Sequence, residues 1–213
     1  MAITSYSTLV SAAKTYLNRS DISDAQIEEF ISLAEASFNR VLRTRDQITR
    51  ATSSVSSQFV ALPSDLLELY NIQINLTPVK RLEQVSLDYA DDVKKTLSSS
   101  GEPLYFAITG QNIELIPTPD SAYTLEIIYY TKITALSSSN TSNWLLEDHN
   151  DAYLFGTLVQ AEPWLMNDER IGVWGTFLAK ALEEVRTSDE RSQTESGTLM
   201  MRAKRNLDYG GWK

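Results

Sequence analysis

The spacing of apolar residues changes twice along this chain, and this change limits the folds that it can adopt. Up to about residue 46, apolar side chains recur at three- and four-residue steps, as on one face of a helix. From Gln47 they alternate with polar residues, as on a strand. After the loop Ser137-Ser138-Ser139-Asn140 the helical spacing returns. The sequence therefore predicts an α+β fold in the order helices, sheet, helices.

Two helices are predicted before the strands. The first runs from about Ser5 to Asn18 and buries one face, formed by Tyr6, Leu9, Val10, Ala13, Tyr16 and Leu17. The second begins at Asp24, because Ser23 and Gln26 match a capping box, and Ile22 and Ile27 stand where a hydrophobic staple would. Its predicted buried residues are Ile27, Phe30, Ile31, Ala34, Phe38, Val41 and Leu42. Those expected to face solvent or neighbours are Glu28, Glu29, Glu35 and Arg40.

Six strands and one short helix are predicted in the middle of the chain. The strands lie near residues 48–54, 58–62, 69–76, 104–109, 112–116 and 123–133. Gly110-Gln111-Asn112 is a predicted hairpin turn, because glycine tolerates the positive φ that such turns require. The helix is predicted from Leu82 to Leu97, with Val85, Tyr89 and Val93 at four-residue spacing. Together these segments predict a β-rich lobe.

Two further helices are predicted after the strands. The third runs from about His149 to Glu162, with Tyr153, Leu154, Leu158 and Ala161 inward, and bends or stops at Pro163, which lacks a backbone N–H. The fourth begins at Asp168 with Asn167 as its cap and ends near Arg191. Its predicted inward residues are Ile171, Trp174, Leu178, Ala181, Leu182 and Val185. Trp164 and Trp174 flank the bend and are interpreted as its hydrophobic anchor.

Composition excludes several classes of protein. The chain has no Cys, which rules out disulfides, thiolate metal sites and Cys nucleophiles. The N-terminus lacks the pattern of a secretion signal, and nowhere do 18 apolar residues run together, so we expect cytoplasmic synthesis and no membrane association. A net charge of −9 argues against a surface that binds nucleic acid through its phosphates.

The last 21 residues differ from the rest of the chain in charge and apolar content. Residues 193–213 carry a net charge of +2, which leaves −11 for residues 1–192. Large apolar residues alternate there with cations, next to Gly210-Gly211. A terminal segment of this kind either frays or docks, and adaptable Met with aromatic anchors favours docking. The predicted partner-binding residues are Leu199, Met200, Met201, Arg202, Lys204, Arg205, Tyr209 and Trp212.

No catalytic, cofactor or metal site is predicted. His149, the single histidine, lies beside Glu147, Asp148 and Asp151, a pattern more typical of a helix N-terminus than of a general base or metal ligand. Three carboxylate pairs that could indicate a glycosidase are each expected on a solvated helix face, namely Asp91-Asp92, Asp168-Glu169 and Glu183-Glu184. The strand aromatics are expected to pack within the lobe rather than to stack sugars or bases, and they are Phe106, Tyr123, Tyr129 and Tyr130.

Several segments, in the same order and with similar spacing, resemble one family over residues 4–192. They include Leu62-Pro63-Ser64-Asp65-Leu66-Leu67-Glu68-Leu69, Gly101-Glu102-Pro103, Ile113-Glu114-Leu115-Ile116-Pro117-Thr118-Pro119-Asp120, Asn143-Trp144-Leu145-Leu146, Tyr153-Leu154-Phe155-Gly156 and Asp168-Glu169-Arg170. The chain resembles the head-to-tail adaptor, or connector, of tailed and especially short-tailed bacteriophages. Each segment is weak evidence by itself, and their shared order carries the resemblance.

The resemblance implies an architecture. Residues 1–46 and 141–192 would form an antiparallel helical bundle, interrupted by a β-rich insertion at residues 47–140 that carries one short helix. Residues 193–213 would form an extended C-terminal tail that docks on the portal.

The resemblance also implies a function. The protein would be a structural virion component at the head–tail neck, made in the host cytoplasm, that closes into a 12-subunit ring under the portal. The ring would extend the DNA channel without binding the genome specifically, and would give the nozzle or other tail proteins a platform. The alternatives are a tail-associated cell-wall hydrolase, and a carbohydrate- or nucleic-acid-binding module that uses the strand aromatics.

Overall fold

The sequence folds into two layers of strands and a group of long helices. The structure is a computed structural model that describes residues 2–19, 21–97, 99–165 and 168–194. Within these ranges the chain is a mixed α+β protein with six α-helices and two four-stranded sheets. The α+β class predicted from the change of period is confirmed.

Four of the six described helices begin after a residue whose side chain accepts a free backbone N–H, namely Ser5, Ser23, Ser86 and Asn143. The helices are α1 (Tyr6–Leu17), α2 (Asp24–Val41), α3 (Leu87–Thr96), α4 (Trp144–Asp148), α5 (Asn150–Leu165) and α6 (Asp168–Thr194). The predicted capping box of Ser23 and Gln26 is present, and α2 begins at Asp24 as predicted. Asn18 ends α1 in the left-handed region with φ 53°, a conformation that Asn tolerates better than most residues.

The strands form two sheets that enclose a core of their own. They are β1 (Ile48–Val55), β2 (Phe59–Ala61), β3 (Leu66–Ile74), β4 (Lys80–Arg81), β5 (Glu83–Gln84), β6 (Tyr105–Thr109), β7 (Asn112–Ile116) and β8 (Tyr123–Thr131). One sheet has the order β1-β8-β3-β4 and the other β2-β7-β6-β5. Alternate residues of both sheets meet in a shared cluster that includes Ile72, Ile74, Phe106, Ile113, Leu115, Leu125 and Ile127.

The helices share a second apolar cluster in which α5 is central. Leu9, Ala13, Ile27, Ile31, Phe38, Tyr153 and Leu158 are all fully or almost fully buried in it. Gly156 of α5 lies so close to α2 that a Cβ there would come within 2.6 Å of the Phe38 ring. The close approach of α2 and α5 therefore depends on this glycine.

The six predicted strands are confirmed, with ends that differ by up to three residues. Gly110 has φ 62° in the turn between β6 and β7, as predicted for that hairpin. Two strands were not predicted, because β4 and β5 are each two residues long and show no alternation. The helix predicted from Leu82 is wrong at its start. It begins at Leu87, where the Ser86 hydroxyl accepts the N–H of Tyr89, and Leu82 is buried between strands.

Some helix faces and ends differ from the prediction. Glu35 is buried, because its carboxylate accepts internal hydrogen bonds. Tyr16 and Val41, both predicted to be buried, are 48% and 42% exposed, and in each case the next residue, Leu17 or Leu42, is the buried one. Pro163 does not stop α5, which ends two residues later at Leu165. In the last turn, the missing N–H removes only one bond before the helix would end in any case.

The chain between the strands and α5 forms a helix that the sequence pattern did not reveal. This helix, α4, is capped by Asn143, whose side chain accepts the Leu146 N–H at 2.9 Å. His149 then ends α4 by donating its N–H to the carbonyl of Leu145. α6 begins at Asp168 as predicted and extends three residues beyond the predicted end, so Gln193 and Thr194, which were predicted to begin the extended tail, are helical. Its predicted cap, Asn167, lies outside the described residues.

Candidate functional site

A buried polar cluster fixes the segment that leaves the strands against α2 and α5. The Tyr153 hydroxyl donates to Glu35 Oε1 at 3.0 Å, and Asn143 Nδ2 donates to the same hydroxyl at 2.6 Å. Glu35 Oε1 also accepts the Leu136 N–H at 2.8 Å, and Asn143 Nδ2 donates to the Thr134 carbonyl. Residues 134 to 143 are therefore held to the helices by hydrogen bonds on three side chains. Since these bonds fix the exit of the strands, the cluster has a structural role.

Burial changes the protonation of this cluster. It raises the pKa of Glu35 above that of an ordinary glutamate, against the opposing effect of the bonds from Leu136 and Tyr153. Burial also raises the pKa of Tyr153, and the neighbouring Glu35 carboxyl adds to the rise. The tyrosine therefore stays protonated and continues to donate its hydrogen bond.

A second buried carboxyl lies where α5 approaches α6. Trp174 Nε1 donates to Glu162 Oε1 at 2.9 Å, and the Glu162 side chain is fully buried. The Trp174 ring also stacks on Phe155 and meets Tyr16 edge-on. The interpretation of Trp174 as an anchor is confirmed. Trp164 differs, since its ring contacts Phe30 yet remains 49% exposed.

The outer side of α6 carries apolar residues that the described part of the chain leaves about half exposed. Val173 and Phe177 are 51% and 45% exposed, although the Phe177 ring stacks on Phe155 at 5.1 Å. Val173 lies away from the predicted inward stripe of α6, and Phe177 flanks that stripe. The structure buries the stripe fully at Ala181 and Val185 and partly elsewhere. The signal for this surface was present in the sequence, as two large apolar residues four positions apart that do not belong to the stripe.

Two glycines in the same part of α6 have no packing role among the described residues. A Cβ at Gly172 or at Gly175 would have no atom within 4 Å. Glycine inside a helix costs about 0.5–1 kcal/mol relative to alanine. Gly156 has a clear steric reason in the Phe38 ring, whereas no contact among the described residues explains Gly172 and Gly175.

Of the residues considered for catalysis, His149 and two of the three carboxylate pairs can be placed, while the side chains of Asp168 and Glu169 lie outside the described residues. His149 lies in an open groove of about 780 Å³ with Lys180, Glu183, Glu184 and Arg191. Asp91 and Asp92 pair with Lys94 and Lys95 along α3, and Glu183 and Glu184 lie on the exposed side of α6. In the described ranges no three His, Asp or Glu side chains are grouped to hold a metal ion.

The strand aromatics mostly have internal contacts. Phe106 and Tyr129 are buried between the sheets, and the Tyr129 hydroxyl donates to Asp65 at 3.1 Å. Tyr123 donates to Asp120 at 2.6 Å. Tyr130 lies on the outer side of its sheet, where it meets the exposed Tyr70 edge-on at 6.3 Å. The packing prediction is therefore confirmed for Phe106 and Tyr129, while Tyr130 contributes to a surface pair.

The predicted partner-binding residues, Leu199 to Trp212, all lie outside the described residues. The described chain ends with α6 at Thr194, so those residues follow directly from its C-terminal end. No helix in the described portion has the length and apolar character needed to cross a membrane.

Comparison with protein-family models gives a match over most of the chain. The model of the family described as SU10 adaptor protein matches residues 4–202, which is nearly the whole chain and includes every described element. No curated protein matches the sequence. The matched range is wider than the 4–192 expected from the shared order of segments, because it also includes residues 193–202, among them Leu199 to Arg202 of the basic tail.

Proposed function

Because this chain belongs to the SU10 adaptor protein family, we propose that it is a structural protein of the phage virion that binds beneath the portal as a ring at the head–tail neck. The family match over residues 4–202 carries this proposal. A ring of copies would lengthen the channel through which the genome passes and would offer the tail proteins a platform. Its function would depend on shape and contacts, without a covalent step.

The C-terminal tail is proposed to bind the portal. Arg202, Lys204 and Arg205 make it basic, whereas residues 1–192 carry a net charge of −11. A basic segment with Met200, Met201, Tyr209 and Trp212 suits insertion between portal subunits, with its cations against acidic side chains and its large apolar groups in pockets. Since α6 ends at Thr194, the tail would leave from the end of a long helix fixed by α5.

The acidic charge of the body is proposed to face the channel. DNA phosphates are attracted by Lys and Arg and repelled by carboxylates, so an acidic wall lets the duplex slide without binding. The ring would therefore conduct DNA of any sequence. Acids placed mainly on the outer wall would remove this part of the proposal.

The helices and the β-rich lobe, each with its own apolar cluster, are proposed to have separate functions. The helices, with residues 1–46 and 141–192, would form the ring and carry the tail, while the β-rich lobe at residues 47–140 would hang below and meet the tail proteins. The buried bonds among Glu35, Asn143 and Tyr153 support this division, because they fix the exit of the lobe to the helices.

Truncation of the tail tests portal binding. Removal of residues 195–213 leaves every described helix and strand in place, so the circular dichroism spectrum and melting temperature of the free protein should stay near those of the full chain. Binding to the purified portal of the same phage, measured by sedimentation, should be lost. A full-length variant with Arg202→Glu, Lys204→Glu and Arg205→Glu separates charge from length and should bind at least tenfold more weakly. Unchanged portal binding by the truncated chain would refute the proposal.

A further inference from the structure

The helices α2 and α6 lie on opposite sides of α5. Residues two positions apart in a helix point about 200° apart, so Tyr153 and Phe155 face in nearly opposite directions. Tyr153 and Trp164, three turns apart, face α2, and Phe155 and Glu162, two turns apart, face α6. The contacts are Tyr153 with Phe38, Trp164 with Phe30, Phe155 with Phe177 and Glu162 with Trp174. The three helices therefore form a layer whose two edges are α2 and α6.

The two edges run in the same direction and are level with each other. As the residue number in α5 increases from 153 to 164, the number of the contacting residue decreases from Phe38 to Phe30 in α2 and from Phe177 to Trp174 in α6. Both α2 and α6 are therefore antiparallel to α5 and parallel to each other. Beyond the helical contacts, the Arg45 N–H donates to Asp189 Oδ1 at 3.0 Å. These contacts fix the relative heights of α2 and α6 along their axes. Arg170 lies at the height of residues 28 to 30, and Thr176 at the height of residues 34 to 36, each to within about one helical turn.

Both edges expose a line of residues at helical spacing. On α2 the exposed side carries Glu29, Ser32, Leu33, Ala36 and Arg40, and Leu33 is 47% exposed. On α6 it carries Gly172, Val173 and Thr176, flanked by the exposed Arg170 and Phe177, which lie closer to the face that meets α5. These two lines are here called the α2 edge and the α6 edge. Each has small residues beside large apolar ones, a pattern that lets a second helix approach closely.

We propose that the α6 edge of one subunit packs against the α2 edge of the next, so that copies of this chain join edge to edge into a closed wall of helices. This inference rests on the proposed ring function and specifies its subunit contact. A ring needs two different and complementary surfaces on each copy, and a closed ring has no rise along its axis. With the helices along that axis, residues at one level on the α6 edge meet residues at the same level on the α2 edge.

In the proposed contact, residues at equal height on the α6 edge and on the neighbouring α2 edge are chemically complementary. Val173 and Phe177 reach the level of Leu33 and Ala36, so exposed apolar side chains meet each other. Arg170 reaches the level of Glu29. Both side chains are exposed, and neither has an ion pair among the described residues. The contact would also explain why residue 172 is glycine, because the absence of a Cβ lets the neighbouring helix approach closely. The fit of charge, shape and level between two surfaces of one chain identifies the occupant as a second copy.

Disulfide trapping tests this contact directly, because the chain has no native cysteine. Ala36→Cys and Thr176→Cys, made in one chain, replace two small exposed residues at matching levels. Within one subunit they lie across two helix spacings, about 16–20 Å, which is far beyond the reach of a disulfide. After mild oxidation on purified portal rings, the double variant should give a ladder of covalent oligomers on a non-reducing gel.

A displaced pair is the matched control. Ala36→Cys with Thr187→Cys moves one thiol 11 residues along α6, or about 16 Å, and should remain monomeric. A charge exchange gives independent support, because Glu29→Arg and Arg170→Glu should each weaken assembly at least tenfold and the double exchange should restore it. Glu83→Arg, on an exposed strand away from both edges, should assemble as the unmodified chain does.

The outcomes separate the two proposals. Assembly of the unmodified chain on the portal, with no ladder from the matched pair or equal ladders from both pairs, would overturn the edge contact and leave the adaptor function standing. Products that stop at the dimer would also overturn it, because a head-to-tail ring gives a continuing series. Failure of the unmodified chain to assemble on the portal would overturn the adaptor function and, with it, this contact.

Discussion

At the scale of single residues, the least predictable feature is the burial of Glu35. Its position on the predicted polar side of α2 indicated solvent exposure, and the sequence contains no local pattern that links it to Leu136 and Tyr153. Those partners lie 101 and 118 residues away in the chain. Helical spacing identifies which residues share a face of a helix. Whether a polar residue such as Glu35 is buried depends on segments that are distant in sequence and that pack over it.

Removal of the Tyr153 hydroxyl should destabilise the protein. Tyr153→Phe keeps the ring that packs edge-on against Phe38 at 5.3 Å, but deprives Glu35 and Asn143 of a buried partner. The expected loss is about 1–3 kcal/mol of unfolding free energy, measured by urea denaturation. Tyr123→Phe, which removes an exposed hydroxyl bonded to Asp120, is the control and should lose much less. Equal losses in the two variants would contradict the role of the cluster.

Glu35 also predicts a pH dependence of stability. Its pKa is raised in the folded protein, so the folded state holds the proton more tightly than the unfolded state. The stability that this adds is present at pH values below the pKa of an ordinary glutamate and is lost as pH rises through the raised pKa. The unfolding free energy of the unmodified chain should therefore fall with rising pH relative to Glu35→Gln. A difference between the two that does not vary with pH would disprove the assignment.

At the scale of elements, α6 contains two helix-weakening glycines for which the described residues give no packing reason. Gly172→Ala and Gly175→Ala should each raise the unfolding free energy of the free protein by about 0.5–1 kcal/mol, because Ala loses less backbone entropy and meets no atom there. Gly156→Ala in α5 should instead lower it, since the new Cβ would lie 2.6 Å from the Phe38 ring. Thermal unfolding of the three variants tests this contrast, and stabilisation by Gly156→Ala would contradict the packing described for α5.

Long periodic elements were predictable, and short or tertiary-dependent ones were not. The start of α2 followed from Ser23 and Gln26, and the β6–β7 hairpin from Gly110, because those signals act through neighbouring backbone groups. The two-residue strands β4 and β5 depend on pairing with residues elsewhere in the chain. The exposed line on α6 was visible as apolar residues, but its relation to the α2 edge depends on how both helices pack on α5.

At the scale of the whole molecule, the separation of charge between body and tail should make portal binding depend on salt. The tail has four cations against two acids, and ion pairs at a surface weaken as counterions screen them. Binding to the portal should weaken as the NaCl concentration increases from 50 to 500 mM, because the Debye screening length falls from about 14 Å to about 4 Å over that range. The triple tail variant, Arg202→Glu, Lys204→Glu and Arg205→Glu, should lose most of this dependence. An affinity that is constant across this range would show that the tail does not bind through charge.

The proposed function requires that many copies of this chain assemble on one portal ring. The mass of purified portal rings, measured with and without an excess of the protein, tests it most directly. We predict a single heavier species that exceeds the bare portal by twelve chains of 23.9 kDa, with no intermediate numbers at saturation. A portal mass that does not change at any protein concentration would contradict the claim.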